Sequence, residues 1–147
     1  MKIDRVSRWL PFNCEQIFDL AADVERYPEF LPGWMSARVG MREGEVLHVE
    51  QVIGVGPVRL RFESRTVLHR PERIDVTSCD RLFRRYNLTW LFAPGPAGSC
   101  NLSVTVDLEL RSWLLQQVVD RVLQPSIEGA VDAFEARANR LYVRREA

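Results

Sequence analysis

Ser99-Cys-Asn-Leu-Ser-Val-Thr-Val-Asp-Leu-Glu-Leu-Arg111 alternates cleanly: Leu102, Val104, Val106, Leu108 and Leu110 face one way, and Asn101, Ser103, Thr105, Asp107 and Glu109 the other. A period of two is the pleat of a β-strand. One dry face and one wet face are what an antiparallel sheet covered on a single side requires. The same period runs back to Ala37, where Gly and Pro clusters at Gly44, Gly54 to Pro57, Pro71 and Pro94 to Gly98 cut the region into strands. The expected strands are about Ala37–Arg42, Val46–Val55, Val58–His69, Arg73–Cys79, Arg84–Phe92 and Ser99–Arg111. In the Val58 strand, Leu60 and Phe62 share the dry face, opposite Arg59, Arg61, Glu63 and Arg65.

The cover for that sheet follows it. Leu114 to about Val143 has helical periodicity, with Leu115, Val119 and Val122 on one apolar stripe and Ile127, Ala130, Phe134, Ala138 and Leu141 on another. The stripes differ by about a quarter turn, which a kink or break at Pro125 would accommodate. Such a helix is about 45 Å long at its 1.5 Å rise, enough to cross a curved sheet. Upstream, Lys2–Leu10 mixes apolar and charged residues with imperfect alternation and reads as an edge strand. Asn13 and Gln16 form a capping-box pattern ahead of a helix from Cys14 to about Ala22, which buries Ile17, Phe18 and Ala21; Asp23 to Arg26 add one short helical turn. Helices on one face of an antiparallel sheet define an α+β domain. A loosely packed gap lined by Phe62, Trp90, Phe92, Val131 and Phe134 would make an apolar pocket for a small molecule or lipid chain.

Between the first helix and the sheet lies Tyr27-Pro-Glu-Phe-Leu-Pro-Gly-Trp34. Each Pro fixes its own φ and pushes the preceding residue, Tyr27 or Leu31, away from the α region, so no long helix runs through. Connectors are normally polar because they lie on the surface. One carrying Tyr27, Phe30, Leu31 and Trp34 must bury them, cover a ligand or face a membrane. It is either a plug closing the core or the lid of a hydrophobic groove.

At 147 residues the chain fits one domain, 1–147, large enough for a core without metal or disulfide staples. The 46% apolar and 27% charged fractions are those of a soluble protein. Twenty basic residues balance 20 acidic ones, which argues against a general DNA or RNA binder. All the basic residues but Lys2 are Arg. Cys14, Cys79 and Cys100 are odd in number and lack CxxC spacing, so neither a disulfide framework nor a metal site is indicated, and the compartment reads as reducing, hence cytoplasmic. No apolar run reaches the ~18 residues of a membrane span, and no signal peptide precedes the first strand; contact with the inner membrane would be peripheral.

Four strings in order resemble one known family: Asp23-Val-Glu-Arg-Tyr-Pro-Glu-Phe-Leu-Pro, then Phe62-Glu-Ser-Arg-Thr with Arg70-Pro-Glu-Arg-Ile-Asp, then Phe83 through Trp90 and Phe92, then Val131-Asp-Ala-Phe-Glu-Ala-Arg-Ala. Together they resemble the coenzyme Q-binding and ribosome-association-toxin-like branch of the START, or polyketide cyclase/dehydrase (SRPBCC), superfamily. The resemblance implies a helix-grip fold, a curved sheet of six to seven strands around the C-terminal helix. It also implies a polyisoprenoid quinone such as ubiquinone, or a related lipid, bound without chemistry in support of respiratory electron transport. No other cofactor is implied. The implied tunnel and lid residues are Tyr27, Phe30, Leu31, Trp34, Phe62, Leu82, Phe83, Trp90, Phe92, Ile127, Val131 and Phe134. Two features depart from the family pattern: Gly33 stands where an aromatic usually follows the second Pro, and Arg81-Leu82 stands where Gly-Pro usually precedes Phe83. Relatives in the toxin-like branch associate with the large ribosomal subunit and block subunit joining; here Arg59, Arg61 and Arg65 are the cations that reading would use.

Chemistry finds little purchase. His48 and His69 are the histidines, and His48 shares a strand face with Glu50, the arrangement of a solvated polar face or of an acid/base pair. Nucleophile-elbow, phosphate-loop and metal-ligand spacings are missing. A polyketide aromatase or cyclase would need polar groups inside the tunnel, and Thr66, Tyr86 and Thr89 are the candidates; the expectation is a protein that is not an enzyme. Arg81, Arg84 and Arg85 flank Leu82 and Phe83 in a turn suited to an anionic bilayer, where each basic residue contributes about 1 kcal/mol.

Overall fold

The computed structural model describes residues 2–142, with side chains from residue 6 onward. Its main elements are β1 (Lys2–Leu10), α1 (Cys14–Ala22), β2 (Trp34–Glu43), β3 (Val46–Val55), β4 (Val58–His69), β5 (Arg73–Thr77), β6 (Phe83–Pro94), β7 (Cys100–Leu110) and α2 (Trp113–Leu141). A 3-10 turn, Val24–Glu29, continues the chain beyond α1. The strands form one antiparallel sheet in the order β1-β7-β6-β5-β4-β3-β2. Strands β2 to β7 are a simple meander. The α1 segment carries the chain from one edge of the sheet to the other. With α2 along its covered face, the curved sheet has the expected helix-grip architecture.

Local chemistry sets the boundaries. The capping box at α1 is formed: Asn13 Oδ1 accepts from the Gln16 N–H at 2.8 Å, and Gln16 Oε1 accepts from the Asn13 N–H at 3.2 Å. Strand β2 begins at Trp34, earlier than its apolar pattern suggests, because the Gly54 N–H donates to the Gly33 carbonyl at 2.7 Å and ladder pairing starts there. Strand β5 stops at Thr77, short of the expected Cys79. The cause is Asp80, whose carboxylate accepts from the Glu63 and Leu82 N–H groups at 3.1 and 3.0 Å and turns the chain out of the ladder. Strand β6 runs past its expected ends in both directions, paired from Phe83 opposite Leu110 to Pro94 opposite Cys100.

Both edge strands are bulged: β1 between Ile3 and Val6, which explains its imperfect alternation, and β2 at Trp34/Ser36 and at Val39/Met41. The central β3–β4 pair keeps its register from Val46↔Val67 to Val55↔Val58.

Helix α2 begins at Trp113 because the Ser112 hydroxyl accepts from the Leu115 N–H at 3.2 Å. Its expected end, Val143, lies outside the described residues. Of the kink or break expected at Pro125, the break does not occur: the expected long helix runs through the proline. Gln124, Pro125 and Ser126 face solvent, so the carbonyl that loses its partner at a proline can turn to water. Leu141, placed on the buried stripe by periodicity, is 52% exposed at the fraying last turn, while Val119, Leu123, Val131, Phe134 and Ala138 are the residues α2 buries.

The cysteines are free thiols, but topology brings two together. Cys14 at the start of α1 and Cys100 at the start of β7 are buried with their sulfurs 3.0 Å apart.

Gly33 has φ of 84°, and a Cβ there would sit 2.5 Å from the Gly54 carbonyl oxygen. Gly33→Ala is expected to destabilise the fold by about 1–2 kcal/mol from the left-handed backbone alone, with the backbone contact adding to it. An unchanged urea midpoint would disprove this.

Candidate functional site

Between Leu123 and Val131, helix α2 buries no side chain. The residues it turns toward the sheet there include Gly129 and Ala130, and a Cβ built on Gly129 would have nothing within 4 Å. A helix that presents so little bulk cannot fill the space over a curved sheet. The result is a cavity of about 260 Å³, walled by Leu60, Phe62, Phe83 and Leu108 from the sheet and by Val119, Leu123 and Ile127 from α2. Its mouth lies between Pro32–Gly33 and Pro125–Ser126, all exposed.

At the other end the covering is tight. Phe134 of α2 is fully buried, with ring centroids 5.8 Å from Tyr27, 5.3 Å from Phe30 and 5.0 Å from Trp90, each edge to face. The Arg137 guanidinium lies 5.1 Å over the Phe30 ring and pairs with Glu29 at 3.2 Å, tying the connector to α2. Tyr27 donates its hydroxyl to the Ala21 carbonyl. In the connector, Tyr27, Phe30 and Leu31 pack at one end of the core, as a plug would, and Pro32 to Trp34 edge the cavity.

Beyond the large cavity lies a second, inner chamber of about 40 Å³, walled by Tyr27, Trp34, Ile74 and Trp90 with Gln51, Ser64 and Thr66. Trp34, Tyr86 and Leu88 are walls of both spaces. Gln51, Ser64 and Thr66 are buried, on strand positions otherwise held by apolar residues, and the Ser64 hydroxyl donates to Gln51 Oε1 at 3.0 Å. Burial pushes the Tyr27 and Tyr86 phenols well above their ordinary range, so both are neutral at physiological pH. Among the described residues no Asp, Glu, Lys, Arg or His lines either space.

Of the residues singled out from sequence, Trp34, Phe62, Phe83 and Ile127 line the large cavity, and Tyr27, Trp34 and Trp90 line the inner chamber. Phe30, Leu31, Leu82, Phe92, Val131 and Phe134 line neither; apart from half-buried Phe30 and Leu82 they are core packing. Sequence reasoning missed Gln51 and Ser64, although polar residues on a dry strand face were the signal. It also missed Gly129 and Ala130, which look unremarkable in a helix until a cavity is found beneath them. Thr66 and Tyr86 face inward, whereas Thr89 is outside the chambers and donates to Asp75 at 3.4 Å. His48 and Glu50 are exposed on the outer face, away from both spaces. Among the described residues no group of three or more His, Cys, Asp or Glu is placed to hold a metal.

Arg81, Arg84 and Arg85 are exposed, but Arg85 is drawn onto Asp107 and Glu109 at 2.9 and 3.0 Å, and Arg84 lies 3.9 Å from Glu109. The Arg81–Phe83 turn is joined to the β7–α2 turn by the Arg111 N–H, which donates to the Leu82 carbonyl at 3.1 Å. Trp113 and Leu114 at the start of α2 are 73% and 68% exposed beside it, an apolar tip with Arg81, Arg84 and Arg111 around it. No described helix is long and apolar enough to cross a membrane.

Known proteins resemble this chain in sequence or in fold. A mitochondrial coenzyme Q-binding protein homologue of Xenopus laevis is 31% identical over 95% of this chain, which spans 59% of that protein's length. The ribosome association toxin RatA of Pseudomonas aeruginosa is 30% identical over 92% of this chain and 94% of its own. An aromatase/cyclase from Streptomyces superposes with a TM-score of 0.85 at 13% identity, covering 95% of this chain and 94% of that one. Residues 10–135 match the family described as polyketide cyclase / dehydrase and lipid transport, and the chain belongs to it.

Proposed function

We propose that this protein binds and carries an elongated hydrophobic ligand, a polyisoprenoid quinone or related lipid, and releases it chemically unchanged to respiratory membranes. The observation that carries the reading is the cavity beneath Gly129 and Ala130: largely apolar walls, no Asp, Glu, Lys, Arg or His among the described residues that line it, and a mouth at Pro32–Gly33 and Pro125–Ser126. Each methylene moved from water into such a space contributes roughly 0.8 kcal/mol. The similarity to a coenzyme Q-binding protein supports a quinone. The polar groups inside are an amide, aliphatic hydroxyls and phenols held neutral by burial, none of which serves as a general base near neutral pH. That supports carriage over the cyclase chemistry of the Streptomyces neighbour.

The ligand has to be collected from a bilayer, and the Trp113 and Leu114 tip, beside half-buried Leu82, has the composition of an interfacial anchor: an indole and an aliphatic side chain exposed among arginines that attract anionic headgroups. A second reading rests on the similarity to ribosome association toxins. The surface it would use, the outward row of Arg59, Arg61 and Arg65 on β4, is interrupted by Glu63, with Glu50 directly opposite it on β3. Phosphate contacts need clustered cations, so the row favours that reading less than the cavity favours carriage.

Organic extraction and mass spectrometry of protein purified without detergent from a ubiquinone-making host should find a near-stoichiometric quinone or lipid. Gly129→Leu places a side chain in the empty space and removes a helix glycine that costs about 1 kcal/mol. Its melting temperature should hold or rise while the co-purifying ligand is lost. An empty wild-type extract, together with cosedimentation with ribosomes at moderate salt, would transfer the assignment to the second reading.

The double change Trp113→Ser with Leu114→Ser should leave the far-ultraviolet circular dichroism intact. It should weaken flotation with liposomes containing anionic lipid by at least about tenfold, given roughly 1.5–3 kcal/mol for burying one large apolar side chain. Equal flotation of the two proteins would remove the anchor.

A further inference from the structure

The inner chamber says which end of the ligand goes in and what that end is made of, an inference that rests on the carrier reading. At about 40 Å³ the chamber has room for roughly two or three water-sized groups, so it takes the tip of a molecule and not a chain. Its walls differ from those of the outer cavity in one respect: Gln51, Ser64 and Thr66 point the polar groups of β3 and β4 to the covered side of the sheet. The Ser64 hydroxyl occupies the oxygen of the Gln51 amide at 3.0 Å. The amide NH₂ remains a donor, while the oxygen, with one of its two lone pairs taken, keeps at most one acceptor position. No cation faces the space to pair a carboxylate or phosphate, and no anion to pair an amine. Desolvating an unpaired charge there would cost far more than the bonds on hand could return.

We propose that the inner chamber is a headgroup site for a neutral, hydrogen-bond-accepting end group, a ketone, quinone or alcohol oxygen, inserted first. The adjoining ring or chain then lies between Trp34, Tyr86 and Leu88, and the tail occupies the outer cavity and leads to the Pro32–Pro125 mouth. Long-chain carboxylates and phospholipid headgroups are refused by the same geometry. Gln51 is the specificity determinant, and Ser64 positions it.

The test uses the full chain, delipidated, with three probes of equal length: dodecan-1-ol, dodecanoate at pH 8 and dodecane. Binding is followed by the fluorescence of the tryptophans, of which Trp34 and Trp90 line the chambers. The wild type should bind dodecanol about tenfold tighter than dodecane, the net worth of one good buried hydrogen bond, and tighter still than dodecanoate. In Gln51→Leu the dodecanol and dodecane affinities should converge, and Ser64→Ala should narrow their gap without abolishing binding. Dodecanoate binding as tightly as dodecanol in the wild type overturns the proposal without any variant. So does an alcohol-to-alkane ratio unchanged in a folded Gln51→Leu protein. In both cases binding of dodecane would leave the carrier reading standing. If none of the three binds, the carrier reading fails and takes the headgroup site with it.

Discussion

A single helix has to cover most of one face of a seven-stranded sheet, and everything of interest follows from where it succeeds and where it does not. The covered face is mostly apolar, so it must be shielded from water. Helix α2 shields the end near α1 by driving Phe134 into a nest of aromatic rings. At the other end it presents Gly129 and Ala130, and the sheet keeps its distance. One half of the interface is a core and the other half a container. The aromatic connector serves both, since Tyr27 and Phe30 belong to the nest while Trp34 stands at the rim of the open space.

The fold was legible because the two periodicities that specify it are long and clean. β4 and β7 announce which side is dry, and α2 announces that something long must lie across it. Boundaries were less legible wherever a side chain rather than a pattern ends an element: Asp80 stops β5, and Ser112 starts α2. Whether Pro125 would kink α2 or break it was unreadable, since a proline's effect depends on whether water can reach the carbonyl it leaves unpaired. The site was only partly legible. Aromatic residues advertise themselves, and sequence reasoning therefore gathered Phe134, Phe92 and Val131 into the cavity wall, although they are the packing that ends it. A cavity is made by what is small, and smallness at Gly129 carries no signal until the opposite wall is known.

The polar interior is the counterpart of that blindness. Gln51, Ser64 and Thr66 each break the alternation of an otherwise apolar face, a local violation of the rule that specifies the sheet. One hydrogen bond, from the Ser64 hydroxyl to the Gln51 amide oxygen, satisfies part of the violation internally. A face that could have been wholly aliphatic instead keeps a small hydrophilic spot in the chamber that adjoins its cavity.

The bulges at the two sheet margins bear on a hazard this architecture creates. An open antiparallel sheet ends in two strands with unpaired backbone groups, and such margins recruit further copies into ribbons and fibrils. Here β2 is kinked twice along its length, and the Val39 N–H at the outer margin is already taken by the Glu25 carboxylate at 3.0 Å. The opposite margin is kinked as well. Bulges at both margins, with one backbone donor of β2 already engaged, work against such edge-to-edge pairing.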